Sequence, residues 1–147
     1  MTIKVQAVEW HPAESSILLT GTLSSQVGIT DCRKCDTLCK QWEVSGEVER
    51  LTWNHFSPFY FFVVTDNGHL YYMDTRKNEP VISKKVHEGG ARSVVQSYYT
   101  KDLLSTCGED GVILFLIKIP ELFFVCCLQI IEEEKRLACF TRNHNLI

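Results

Sequence analysis

Proline and methionine are scarce, at four and two in 147 residues, and neither sign of charge prevails: fifteen Lys and Arg stand against eighteen Asp and Glu, a formal charge of −3. So small an excess gives no support to a strongly cationic nucleic-acid binder, whose affinity comes from neutralised phosphates. A secretory leader is lacking: Met1-Thr2-Ile3-Lys4 runs straight into strand-like sequence, without a charged start and an apolar stretch. An even cysteine set is lacking too. Seven Cys without a leader point to reduced thiols in the cytoplasm or nucleus rather than to a disulfide framework. No uninterrupted apolar run of membrane width occurs. Val112 to Ile131 comes nearest, and Lys118, Pro120, Glu121 and Gln129 break it. A charge at the bilayer centre costs roughly 2.5–3.5 kcal/mol, so two buried strands with a connector are expected there, and no membrane contact. What is present is 45% apolar residues with 22% charged, enough to bury a core and too apolar for a disordered chain.

The chain repeats. Trp10-His11-Pro12 and Trp53-Asn54-His55 lie 43 positions apart, and an Asp follows each Trp after 21 residues, at Asp31 and Asp74. Val8, Leu51, Val94 and Leu137 keep the same spacing of 43, as do Leu19, Phe62 and Ser105. In the third unit, Ile113 to Leu116 is aligned with a one-residue slip. Each unit predicts a first strand (Val5 to Trp10; Val48 to Trp53; Arg92 to Tyr98) and a second (Ile17 to Thr20; Tyr60 to Thr65; Leu103 to Thr106). A tight turn leads to a third (Val27 to Asp31; His69 to Asp74; Val112 to Ile117). Weaker fourth strands are expected near Lys40 to Val44 and Val81 to Val86. Asn67-Gly68 and Asp110-Gly111 supply the positive φ angles that a two-residue hairpin loop needs. Tyr, Val, Phe and Ile dominate the strands, as half-buried pleated surfaces favour. Four short antiparallel strands per 40–45 residues is the spacing of a propeller blade, and the constant phase argues against a sandwich with regular hairpins.

The repeat resembles WD40. Leu18-Leu19-Thr20-Gly21-Thr22 with Val27-Gly28-Ile29-Thr30-Asp31 is similar to its second and third strands, and Leu103 to Thr106 with Asp110 to Phe115 more so. The closing Trp-Asp pair is degenerate, as Thr30-Asp31, Met73-Asp74 and Phe115-Leu116. His87 stands where that repeat places its His. A closer resemblance is to the periodic tryptophan protein one family. It rests on Val5 to Pro12, Asp31-Cys32-Arg33, Ser45 to Pro58, Thr65 to Gly68 and Asp74-Thr75-Arg76-Lys77, and it covers about residues 5–118. It implies a WD40 protein of the nucleus and nucleolus tied to ribosome biogenesis and chromatin-linked growth control. It implies protein partners, pre-ribosomal or chromatin factors; apart from the resemblance, a cytoplasmic place is expected. The acidic N-terminal region usual in that family is absent from this sequence.

Several residue groups invite sharper readings. His87, Asp110 and Ser105 or Thr106 have the groups of a nucleophilic triad. In WD40 blades such groups form a buried hydrogen-bond chain, and no oxyanion site is visible, so a structural role and no enzyme are expected. Cys32-x-x-Cys35-x-x-x-Cys39 has thiolates at zinc-like spacing. A fourth ligand would have to come from His11, His55 or Cys107, so an exposed loop without metal or other cofactor is expected, a zinc- or redox-active protein being the alternative. Trp10, Trp53 and Phe59-Tyr60-Phe61-Phe62 could stack on single-stranded nucleic acid. The shared phase of the two Trp instead makes both inter-blade core, and the Phe59 run carries no Lys or Arg, so no direct nucleic-acid contact is expected.

The expectation is therefore all-β: WD40-type β-propeller blades in an incomplete propeller of about three blades plus one strand. Blades are placed at about residues 1–45, 46–88 and 89–118. Residues 119–147 are assigned to a connector, an outer strand and the first strand of a truncated fourth blade. A seven-bladed ring would need roughly 300 residues at this period. An open arc leaves two uncovered blade faces, so self-association is expected, and the chain is read as a fragment, isoform or incomplete product of a complete propeller. Function is expected to be scaffolding, the alternative being a substrate receptor of another complex such as a ubiquitin ligase. The candidate partner-facing loop residues are His11, Arg33, Lys34, His55, Phe56, Arg76 and Lys77.

Overall fold

A computed structural model describes residues 2–34, 38–119, 122–130 and 137–140. Among them every regular element is a β-strand, and the strands form three antiparallel sheets. The first contains β1 (Val5–Trp10), β2 (Ile17–Thr22), β3 (Gln26–Asp31) and β4 (Leu38–Glu43), paired in chain order. The second repeats it with β5 (Val48–Trp53), β6 (Tyr60–Thr65), β7 (His69–Asp74) and β8 (Ile82–Lys85). The third comprises β9 (Ala91–Gln96), β10 (Leu103–Gly108), β11 (Val112–Ile119), β12 (Leu122–Ile130) and β13 (Leu137–Phe140). The WD-type blade is thus a finding of the fold, and the apolar stretch from Val112 runs as the antiparallel pair β11–β12.

Local chemistry explains the hairpins. The β2–β3, β6–β7 and β10–β11 loops have three residues, not the two expected, and only the last of each, Ser25, Gly68 and Gly111, takes positive φ, at 61°, 83° and 71°, while Asn67 and Asp110 do not. Glycine enters that region without the Cβ penalty. Gly68 also serves a close approach: a Cβ there would lie 2.2 Å from the His87 carbonyl oxygen.

The register keeps the period of the sequence. Ile17 pairs with Asp31, Tyr60 with Asp74, and Leu103 with Ile117, each step 43 residues along. The slip expected in the third unit is absent. The residues in the Trp-Asp place are Leu116-Ile117, one later than Phe115-Leu116.

Packing is between blades. β1, β5 and β9 lie side by side as innermost strands. One core joins Ala7, Leu19, Val27, Ile29 and Trp42 of the first blade to Leu51, Trp53, Phe61, Val63 and Met73 of the second. Another joins Phe62, Val64, Leu70 and Tyr72 to Ala91, Val94, Leu104, Leu114, Leu116 and Phe123. β6 and β7 of the middle blade therefore send alternate side chains into two different cores, and both read as continuous apolar runs for that reason.

Two expectations are corrected by this arrangement. Trp10 and Trp53 share a phase, yet Trp53 is 1% exposed and Trp10 56%. Likewise Leu51 and Val94 are buried at 4% and 2%, while Val8 is 61% exposed. The face that carries these residues needs a blade in front of it, and the first blade has none among the described residues. The second correction concerns Leu137. It opens β13, which pairs with β12 through Leu137–Ile130, Ala138–Gln129, Cys139–Leu128 and Phe140–Cys127, as a fifth strand of the third sheet and not as the inner strand of a fourth blade. A single strand finds its backbone hydrogen bonds on the open edge of a formed sheet, whereas a new blade requires further strands to pair with.

Candidate interaction face

In every blade the first and third strands run the same way. Their ends, and the loops that follow them, therefore share one side of the molecule. Backbone hydrogen bonds tie these loops together in pairs: Cys32 N–H donates to the Ser16 carbonyl at 2.8 Å and Thr75 N–H to that of Phe59 at 2.8 Å. His11, Arg33, Lys34, His55, Phe56, Arg76 and Lys77 thereby lie on the same side. His11, His55 and Phe56 follow first strands, and Arg33, Lys34, Arg76 and Lys77 follow third strands.

Two of the loops are built alike. Asp31 accepts from the backbone N–H of Arg33 at 3.0 Å and from its guanidinium at 3.0 and 2.8 Å. Asp74 does the same with Arg76, at 3.0, 2.9 and 2.9 Å. Arg76 also lies over the Phe59 ring, 4.7 Å from its centre, and donates to the Tyr60 hydroxyl. A carboxylate that closes the turn on its own backbone aims a planar cation outward from a fixed base. Lys34 and Lys77 sit beside these pairs, exposed.

The two histidines are less available. His11 Nδ1 accepts the backbone N–H groups of Ala13 and Glu14 at 3.1 and 2.8 Å. Its Nε2–H donates to the Pro58 carbonyl at 2.9 Å, and the ring meets Trp53 edge-on. His11 is thus a clasp between the first and second blades. The His55 ring stacks on Tyr98 at 4.5 Å, and its backbone N–H is held by the Gln96 side chain. Phe56 stands exposed, joined by Phe59, Tyr98 and Tyr99. Tyr98 and Tyr99 were missed because Tyr98 is apolar enough to extend the predicted strand. β9 stops at Gln96, whose side chain turns back to donate to Asn54 Oδ1 at 3.1 Å.

A second clasp was not foreseen either. Glu9 accepts from the Trp53 backbone N–H at 2.6 Å and from the Thr52 hydroxyl at 3.3 Å. Burial pushes the Glu9 carboxyl above its ordinary value, although both hydrogen bonds and the charges of His55 and Arg50 oppose that. Glu9 and Thr52 are 43 residues apart, so the period itself sets them side by side on adjacent inner strands.

His87 lies between β8 and β9 and is buried. Its Nδ1–H donates to the Asp110 carboxylate at 3.0 and 3.1 Å, and its Nε2 is hydrogen-bonded to the Thr106 hydroxyl at 2.9 Å. Asp110 further accepts from the backbone N–H groups of Glu88 and Val112. Ser105 takes no part: it pairs with Phe115 and Val95, on the other face of β10 from Thr106. In the preceding blade, 43 residues earlier, the places of His87 and Thr106 are held by Val44 and Val63, both buried. Replacing both members of a polar pair by apolar ones leaves nothing unsatisfied.

Cys32 and Cys39 are exposed, and Cys35 lies outside the described residues. Among the described residues no three His, Cys, Asp or Glu side chains come together as a metal site, and His11 has both ring nitrogens engaged. No described helix is long and apolar enough to cross a membrane.

These carboxylates set an acid limit. Hydrogen bonding to Arg33 lowers Asp31 to about 2, and Arg76 lowers Asp74. At Asp110 burial pushes upward, but the Glu88 and Val112 N–H groups and His87 outweigh it, and the net shift is down. A depressed folded-state value stabilises above the unfolded value and loses that stability as pH falls through the folded one. The melting temperature is therefore expected to begin falling near pH ~4, the ordinary aspartate range, and to go on falling toward about 2, where Asp31 titrates. Differential scanning calorimetry from pH 7 to acid would show it, and a decline that begins near neutrality would contradict the assignment. Glu9 works in the other sense, since its raised value costs stability as pH climbs past the glutamate range.

Repeating four-stranded sheets at a 43-residue period, joined face to face through their inner strands, define a WD-repeat protein. The periodic tryptophan protein 1 homolog of Drosophila melanogaster is 31% identical over 114 residues, which cover 75% of this chain and 25% of that protein. Periodic tryptophan protein 1 of Saccharomyces cerevisiae is 34% identical over 121 residues, 79% of this chain and 21% of that protein. Over three quarters of its length the chain belongs to the periodic tryptophan protein 1 family. It spans about a quarter of the length of these curated relatives. Histone acetyltransferase type B subunit 2 of Candida albicans is 27% identical over 100 residues, 67% of this chain and 26% of that protein. No family model matches the chain.

Proposed function

We propose that this chain is a non-enzymatic scaffold whose loop face binds protein partners in the nucleus and nucleolus, in ribosome biogenesis or chromatin-linked growth control. The family relation supports the setting. The observation that carries the mechanism is the gathering of Phe56, Phe59, Tyr98 and Tyr99 with Arg33, Lys34, Arg76 and Lys77 on one side of a rigid support. Aromatic and arginine side chains are the groups that anchor protein interfaces. The joints behind them fix the loops in place.

Affinity capture from nucleolar extract with the tagged chain, followed by mass spectrometry, tests this. Pre-ribosomal proteins are expected to co-purify and to be lost with Lys34→Glu plus Lys77→Glu, a pair that leaves both Asp–Arg turns intact. Specific recovery of histone-modifying subunits, as the similarity to a histone acetyltransferase subunit suggests, would place the role on chromatin. Ubiquitin-ligase subunits, or no partner sensitive to the two substitutions, would overturn it.

A further inference from the structure

Asn67 alone among the five Asn of the chain precedes a Gly. It sits exposed in the β6–β7 turn, on the side opposite the candidate interaction face. An asparagine amide is a thermally labile group. The nucleophile nearest to it is the backbone nitrogen that follows, and Gly68 has no side chain to shield that nitrogen.

The fold ties down both reactants. Asn67 Nδ2 donates to the Ser45 hydroxyl at 2.7 Å. Its Oδ1 accepts from the Thr65 hydroxyl at 2.6 Å and from His69 Nδ1–H at 3.0 Å. The Gly68 N–H donates to the Thr65 carbonyl at 3.0 Å. Ser45 belongs to the link between β4 and β5, so the Asn67 amide latches the turn of the second blade onto the chain that leaves the first. Beside it, Asp66 accepts the Glu47 backbone N–H at 2.7 Å. Gly46 fits under the turn: a Cβ there would lie 2.8 Å from Asn67 Cγ. Unlike the joints between blades, this latch is at the surface. Ser45, Glu47, Asp66 and Asn67 are all exposed, so it opens locally while the sheets behind it stay folded.

We propose that Asn67 is a self-modification site, protected while the latch is shut and converted to Asp and isoAsp when it opens. The Gly68 nitrogen gives up its proton to water and bonds to Asn67 Cγ. The Cγ–Nδ2 bond breaks, Nδ2 takes up a proton, and ammonia leaves a cyclic imide. Water then cleaves one of the two C–N bonds of the imide. Cleavage at Cγ leaves an ordinary Asp. Cleavage at the original main-chain carbonyl leaves isoAsp, in which the main chain runs through Cγ and is one methylene longer.

Neither product remakes the latch. Both have lost the Nδ2 donor to Ser45, and both set a second carboxylate beside that of Asp66, where like charges repel. IsoAsp also displaces Gly68. The Gly68 carbonyl accepts the N–H groups of Val86 and His87, and its Cα is seated against the His87 carbonyl. The longer main chain therefore disturbs the segment that carries His87. The loss of ammonia makes the change one-way.

The test is mass spectrometry of the whole chain held at neutral pH and body temperature, beside a synthetic peptide of residues 62–72. The peptide should convert at Asn67. The chain should convert at the same residue at least about tenfold more slowly, a factor equal to about 1.4 kcal/mol of latch opening. Asn54 and Asn78 should stay unchanged over that time. Ser45→Ala, at an exposed position, should recover several-fold of the lost rate, and Asn67→Gln should abolish the mass gain. The converted chain, separated by its extra negative charge, should melt at a lower temperature than the unconverted one. A chain that converts as fast as the peptide, or a rate unmoved by Ser45→Ala, would overturn the proposal. So would no conversion even in urea just below the unfolding transition, or an unchanged melting temperature after conversion.

Discussion

Trp53→Ala is expected to lower the unfolding free energy by about 3–5 kcal/mol, the cost of deleting a large aromatic side chain from a packed core. Trp10→Ala, at the same place in the preceding blade, should cost no more than about 0.5 kcal/mol, as surface substitutions do. The contrast follows from burial alone. Trp53 fills the joint between Ala7, Leu19 and Phe61, meets His11 and Phe61 edge-on, and donates its indole N–H to the Glu9 carbonyl. Trp10 faces solvent. Urea unfolding of both variants beside the unmodified chain measures the two losses. Equal losses would mean that the first blade is covered in the folded chain or that the joint around Trp53 is not formed.

The second large effect lies at His87. His87→Val removes the partner of both Asp110 and Thr106 and leaves the Thr106 hydroxyl buried without its hydrogen bond. Each unsatisfied buried group costs about 1–3 kcal/mol, so a loss of about 2–4 kcal/mol is expected once the lost packing is included. Adding Thr106→Val should return about 1–2 kcal/mol of it, because the pair then matches Val44 and Val63 of the preceding blade. Ser105→Ala, one residue away on the opposite face, should change stability little. If the double variant is less stable than His87→Val alone, the hydrogen bond between His87 and Thr106 is not what holds this corner.

That pair of blades shows how far the sequence can be read. The period, the hairpin turns and the Asp-x-Arg loops are local matters. Gly68 ends its turn by its own φ preference, and Asp74 caps its own turn on Arg76. Any of these is decided within a few residues. The strand limits at Val5–Trp10, Val48–Trp53, Tyr60–Thr65 and His69–Asp74 follow from β-branched and aromatic runs bounded by turn residues for the same reason. Ser105 and Thr106, by contrast, are equally good hydroxyls in sequence. Which one meets His87 depends on which face of β10 looks toward the second blade.

The candidate contact residues divide in the same way. That Arg33 and Arg76 point outward is written in the Asp two residues before each. That His11 is spent on the Pro58 carbonyl, 47 residues away, is written nowhere near it. Nor is the clasp of Glu9 on Trp53 or of Gln96 on Asn54, since each needs two blades in contact. The exposed Tyr98 and Tyr99 lie beyond the end of β9 at Gln96, the residue whose side chain bonds across the joint to Asn54.

By itself, then, the sequence determined the blade: a 43-residue unit of paired strands whose turn residues and apolar alternation permit little else. The tertiary structure decided which copy of each repeated residue is core and which is surface. Trp10 and Trp53, Val8 and Leu51, and the two ends of the arc differ in no local property. Burial belongs to the neighbour across the joint, and a repeat cannot state whether that neighbour is there. Likewise Leu137 opens a strand on the edge of β12, where backbone partners already stand.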